Sequence, residues 1–131
     1  MNPAGSGPRA PRIGAAVAAG ILACGIPLWP IPYHQVNMLA NPSATVWLLG
    51  GAVAGVIARI LLRPSMAVPT LSVGAGFVLA VMGRVLIETS VDPTSHNLWP
   101  FEVVIAGGVG LAGGLVGVLL ARLAQGLKLL R

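Results

Sequence analysis

The chain has 131 residues, of which 56% are hydrophobic and 8% charged, where an ordinary soluble domain carries about 25% charged residues. The apolar residues come in long runs instead of alternating with polar ones at helix or strand period, which excludes a water-soluble globular domain. The formal net charge of +5 does not point to nucleic acid, because the basic residues are scattered at segment ends and form no cluster interleaved with aromatics.

The expected class is therefore an all-α, polytopic membrane protein with four transmembrane helices. Residues 1–12, rich in Pro, Gly and Ser, read as a mobile tail. Arg9 and Arg12 followed by an apolar stretch resemble the start of a signal peptide, but the apolar run continues through Leu28 and Trp29, so residues 13–29 are expected to stay as the first helix. Pro27, Pro30 and Pro32 should stop it, since proline removes a backbone donor and clashes with the preceding turn. Cys24, the only cysteine, lies within this run and excludes an intrachain disulfide; it reads as a small packing residue.

A polar loop over 30–41 leads to Asn41 and Pro42, which suit an N-cap and a first helical position, and the second helix is expected over 43–62. The Arg63-Pro64-Ser65 turn makes it an antiparallel hairpin with a third helix over 66–87, where Pro69 is tolerable in the first turn. A second polar loop, 88–100, precedes the fourth helix at 101–124 and a basic tail at 125–131. Spans of roughly 17 to 24 residues bracket the 20 or so that a bilayer core requires. Arg9, Arg12, Arg59, Arg63, Arg122, Lys128 and Arg131 all fall on one side, and the 30–41 loop holds no Lys or Arg. The positive-inside rule then puts both termini in the cytoplasm of a cell-membrane protein. Trp29, Tyr33, Trp47 and Trp99 fall near the opposite interface, as anchoring aromatics would.

Residues 50–59 and 113–122 match at Gly, Gly, Val, Ala and Arg, which suggests two helical hairpins forming a parallel repeat about an axis along the membrane normal. Small residues at four-residue spacing, among them Gly51 and Gly55, Gly110 and Gly114, and Gly113 and Gly117, mark helix-packing faces, with Gly76 on the third helix. The fourth helix carries small residues on several faces, so the expected partners, besides the lipid bilayer, are further copies of the chain or other membrane subunits.

Arg84 breaks the charge pattern. It shares one helix face with Ser72, Gly76, Ala80 and Glu88, so it should point towards protein near the outer boundary and pair with Glu88 or Glu102. Both histidines and all three acids lie on this side, which makes Tyr33, His34, Glu88, Asp92, His96, Trp99 and Glu102 the other candidate functional residues. His34 and His96 show no metal-ligand spacing, and no motif organises His96 with Asp92 or Ser95 into catalytic machinery. No catalytic residue, metal or cofactor is expected. Arg59 and Arg63 read as snorkelling topology charges. The leading expectation is a non-enzymatic subunit of a helical membrane assembly. The alternatives are a small transporter or channel with an outer Arg84/Glu88 site and a membrane enzyme with an outer His/acid site.

Overall fold

The computed structural model describes residues 9–36, 43–94, 96 and 99–127. They form four α-helices, α1 (Arg9–Leu28), α2 (Ala44–Leu61), α3 (Ala67–Val91) and α4 (Trp99–Gly126), with a 3-10 turn at Tyr33–Gln35. All four are long and apolar enough to cross a membrane, so the chain has the multi-pass, all-helical form that its composition dictates. Asn41, Pro42, Lys128 and Arg131 lie outside the described residues.

Helix ends follow local chemistry, and several differ from the expected ones. Helix α1 begins at Arg9 and keeps Pro27 within its last turn. The cap of α2 is Ser43, whose hydroxyl accepts from the Val46 amide at 3.3 Å, in the standard N-cap manner. At the next turn Ser65 does the same for Val68 at 3.1 Å. Helix α3 continues past Ile87 to Val91, and its terminal hydroxyls are satisfied on their own helix: Thr89 donates to the Val85 carbonyl and Ser90 to that of Ile87, each at 2.6 Å.

The helices pack as a ring in the order α1, α2, α4, α3. Helices α1 and α4 barely meet, and α2 and α3 make the closer diagonal. The repeat-related helices are thus neighbours, α1 beside α3 and α2 beside α4, each pair running in the same direction. A two-fold axis along the membrane normal would set them on opposite corners, so the hairpins relate more nearly by a lateral shift.

Backbone contact holds both parallel pairs. Gly20 and Gly76 face each other across α1 and α3, and a Cβ added at Gly76 would lie 2.4 Å from the Val17 carbonyl oxygen. Across α2 and α4, a Cβ at Gly55 would lie 2.3 Å from the Gly114 oxygen and one at Gly117 only 2.0 Å from that of Ala52. Such approach lets dispersion and weak backbone contacts drive association where lipid removes the hydrophobic driving force. Of the other expected packing glycines, Gly51 is buried in the α2–α4 seam against Gly113, while Gly110 against Phe77 and Gly114 against Val73 also close the antiparallel contact of α4 with α3.

Trp47 stands in the first turn of α2 but faces protein, not the surface that an anchoring aromatic would use. It is fully buried, meets Phe77 edge-on at 6.3 Å and donates its indole N–H to the Cys24 carbonyl at 3.3 Å. Trp29 and Trp99 stay partly exposed, as interface residues do.

The seams predict a sharp contrast between glycines. Gly55→Ile should destabilise the protein by about 1–3 kcal/mol or more through overpacking. Gly14→Ala, where an added Cβ meets nothing within 4 Å, should be neutral or stabilise by about 0.5–1 kcal/mol through helix propensity. Reversible unfolding in mixed micelles measures both.

Candidate functional site

Chemistry-bearing side chains converge at the end of the bundle where α1 and α3 finish and α4 begins. The site starts at the C-terminal end of α1. In an α-helix the Leu28 carbonyl would accept from the amide four residues on, but that residue is Pro32, which has none. That carbonyl accepts from the Ile31 amide at 3.1 Å instead, and Arg84 adds a second donor, from Nη1 to the Leu28 oxygen at 2.7 Å, while its Nη2 reaches the Ile31 oxygen. A cation at a helix C-terminus also meets the negative end of its dipole. The Arg84 Nε–H donates to Glu88 Oε1 at 2.8 Å, one turn along α3. Trp29 closes this corner, lying over Gly25 and donating its indole N–H to the Ala80 carbonyl at 3.4 Å.

Glu88 and Glu102 are joined through a histidine. His96 stands in the α3–α4 connection with its Nδ1 2.7 Å from Glu102 Oε2 and its Nε2 on Glu88 Oε2. It is 3% exposed, Arg84 7%, Glu102 14% and Glu88 30%. Its φ of 56° is a left-handed conformation, uncommon for a residue with a Cβ. Glu102 lies in the first turn of α4, where a carboxylate is favoured by the helix dipole. Four charged or titratable groups from α3, the connection and α4 thus form one continuous network, anchored on the carbonyls that end α1.

The expected Arg84–Glu88 pair is present. Glu102 belongs to the cluster but binds His96 instead of Arg84. His34 is exposed beside Gln35, and Asp92 is exposed, accepting from the Thr94 amide at 3.1 Å and hydroxyl at 2.6 Å. The hydroxyl and then the amide of Thr94 hold the Asp92 carboxyl below its ordinary range. Trp99 contributes through its backbone, donating its amide to the His96 carbonyl at 3.0 Å. The Tyr33 side chain, Ser95 and Asn97 lie outside the described residues. The cluster can carry charge and exchange a proton. Both ring nitrogens of His96 are occupied by carboxylates and Asp92 binds Thr94, so an acid–base pairing of His96 with Asp92 is not formed.

Arg59 corrects the snorkelling expectation at the opposite end of the bundle. It is buried and donates to the carbonyls of Pro64 and Ser65, the latter at 2.7 Å, and from Nε to Gln125 Oε1 at 3.2 Å. It ties the α2–α3 turn to α4, while Arg63 is exposed. Sequence reasoning missed these two carbonyl clasps; only the first, at Arg84, leaves a trace in the sequence, where Pro32, four residues after Leu28, cannot supply the regular helical donor.

No protein-family model, curated protein or solved structure matches the chain.

The clasp at Arg84 predicts that Arg84→Ala destabilises the fold by about 3 kcal/mol, the low end for breaking a buried ion pair because Glu88 stays partly solvated. Arg84→Lys should recover only part of this, since an ammonium cannot span the three acceptors that the guanidinium fork reaches. Unfolding midpoints of the three proteins in one detergent decide the order.

Proposed function

We propose that the protein is a non-enzymatic subunit of a helical membrane assembly, working through its lipid-facing surface alongside further copies or a different membrane subunit. The observation that carries this reading is on the outside of α4. A Cβ added at Gly108 meets nothing within 4 Å, and Gly108 and Ala112, one turn apart, are both exposed. Glycine inside a helix costs about 0.5–1 kcal/mol relative to alanine. In the seams close backbone approach offsets that cost, but at Gly108, as at Gly14 and Gly83, nothing within the monomer does, and Gly108 has a second small exposed residue, Ala112, one turn along. A shallow strip of this kind suits a second helix.

The interior supports the same reading. Among the described residues the buried polar or charged side chains are Arg59, Ser72, Arg84 and His96. Arg59 closes one end, Arg84 and His96 the other, and Ser72 donates to the Val68 carbonyl at 2.7 Å. Trp47, Phe77 and Val73 fill the middle. A conduit through the bundle would need polar groups along its length, and Arg84, committed to α1 carbonyls and Glu88, makes a clasp better than an entrance. The distribution of arginine supports a cell-membrane topology with cytoplasmic termini.

Cross-linking in native membranes tests the proposal. With Cys24→Ala as background, Ala112→Cys should cross-link into a discrete larger species, a dimer if the neighbour is another copy and a heteromer otherwise. Gly108→Leu should reduce that yield to the level of Leu49→Cys, on the exposed side of α2. A chain that remains monomeric at Ala112→Cys and co-purifies with nothing overturns the reading.

A further inference from the structure

We infer that the groove between α1 and α3 beside Arg84 binds one phospholipid whose zwitterionic headgroup carries a primary ammonium, as in phosphatidylethanolamine. The groove has a volume of about 420 Å³, within the range of about 300–1,000 Å³ typical of small-molecule clefts. Ile21, Leu79 and Ile87 give it apolar walls, and Arg84 and Glu88 lie together at one end. From Leu79 to Glu88 the helix rises about 13 Å. Leu79, Ile87 and Trp29 are all exposed, so the groove opens onto the surface that lipid bathes. An elongated apolar slot with charge at one end matches an amphiphile.

The shape of the groove decides between a lipid chain and a helix. Gly83 is part of its lining, and a Cβ added there meets nothing within 4 Å, although glycine inside a helix costs about 0.5–1 kcal/mol relative to alanine. A second helix does not suit this hollow as it suits Gly108. Leu79 and Ile87, one turn to either side of Gly83, are large and exposed. They hold off a helix, which is about 10 Å across with its side chains. A hydrocarbon chain is narrow enough to lie between them and α1, and its dispersion contacts with the Gly83 backbone offset the cost of the glycine.

The polar end selects the headgroup. Arg84 has five N–H donors, of which Glu88, Leu28 and Ile31 engage three, which leaves two for phosphate oxygens. The Glu88 carboxylate has about four acceptor positions. Arg84 uses one on Oε1 and His96 one on Oε2, and the side chain is 30% exposed. A primary ammonium can donate into the positions that remain. The quaternary ammonium of phosphatidylcholine has no N–H to give, and phosphatidylglycerol has no cation for Glu88. Trp29 walls the same end with its ring, its own N–H already given to the Ala80 carbonyl. The site needs only one chain, so it stands or falls independently of the assembly reading.

Native mass spectrometry of the full-length protein in detergent tests the inference, with dioleoyl phosphatidylethanolamine, phosphatidylcholine and phosphatidylglycerol offered in equal amounts. The first lipid retained should be phosphatidylethanolamine, about tenfold over phosphatidylcholine, the scale of one charge-assisted hydrogen bond. Gly83→Leu should unfold no earlier than the parent and lose that retention, because its side chain fills the groove without touching the Arg84 clasp. Glu88→Gln should still retain lipid but bring the two zwitterionic lipids close to parity. Equal retention of these two by the parent, first place for phosphatidylglycerol, or a preference that survives Gly83→Leu overturns the proposal. So does cross-linking of Leu79→Cys to a second chain in native membranes, on a Cys24→Ala background, since protein then fills the groove. The ranking by the parent decides even where a variant fails to fold.

Discussion

Contact between helix backbones is the condition on which the rest of this structure depends. Inside a bilayer an apolar side chain gains little by leaving lipid for protein, so helices associate through dispersion and weak backbone contacts, both of which demand proximity. Gly20 against Gly76 and Gly55 against Gly114 supply it, with backbone atoms where a Cβ would otherwise stand. Because the two parallel pairs close so tightly, the ends of α1, α3 and α4 arrive at one place, and Arg84 finds the α1 carbonyls within reach. The polar cluster is a consequence of the glycine seams before it is anything else.

The same medium explains why both ends of the bundle are closed by arginine. A helix leaves its final carbonyls unsatisfied, and away from water each must find a donor or incur a cost of several kcal/mol. At α1 the prolines at 30 and 32 cannot donate, and Arg84 crosses from α3. At α2 the turn carbonyls of Pro64 and Ser65 accept from Arg59. In each case a guanidinium, with five donors in a planar fork, meets several acceptors at once beside a turn that contains proline. Arg59, which reads as a simple topology marker, and Arg84, which breaks the charge pattern, both bind turns to helices.

How much of this was legible in the sequence depends on the range of the interaction. The four helices follow from run length and composition, and Arg84 with Glu88 follows from their spacing on one helix, because both are decided within a segment. The burial of Trp47 is not legible, because a position near a span end is equally compatible with an exposed anchor or a core residue, and only the closeness of Cys24 and Phe77 decides. His96 reaches Glu88 and Glu102 through a connection whose path includes a left-handed residue that is not glycine, and no local rule announces that. Arg59 and Arg63 differ by one turn of sequence, yet one is buried and the other exposed, since α4 covers only the first.

The two clasps share their geometry but not their chemistry, and the difference has a direction. Arg59 binds carbonyls and an amide, none of which titrates near neutrality, so that end of the bundle should be indifferent to the solution it faces. Arg84 binds a carboxylate that is shared with an imidazole, and histidine is the side chain whose charge changes most readily in the physiological range. Every histidine and acid in the chain lies on this one side of the helices. The polar cluster at the α3–α4 connection thus gathers the chain's two glutamates around one arginine, while the opposite end, fixed by arginine and backbone, holds the helices in register.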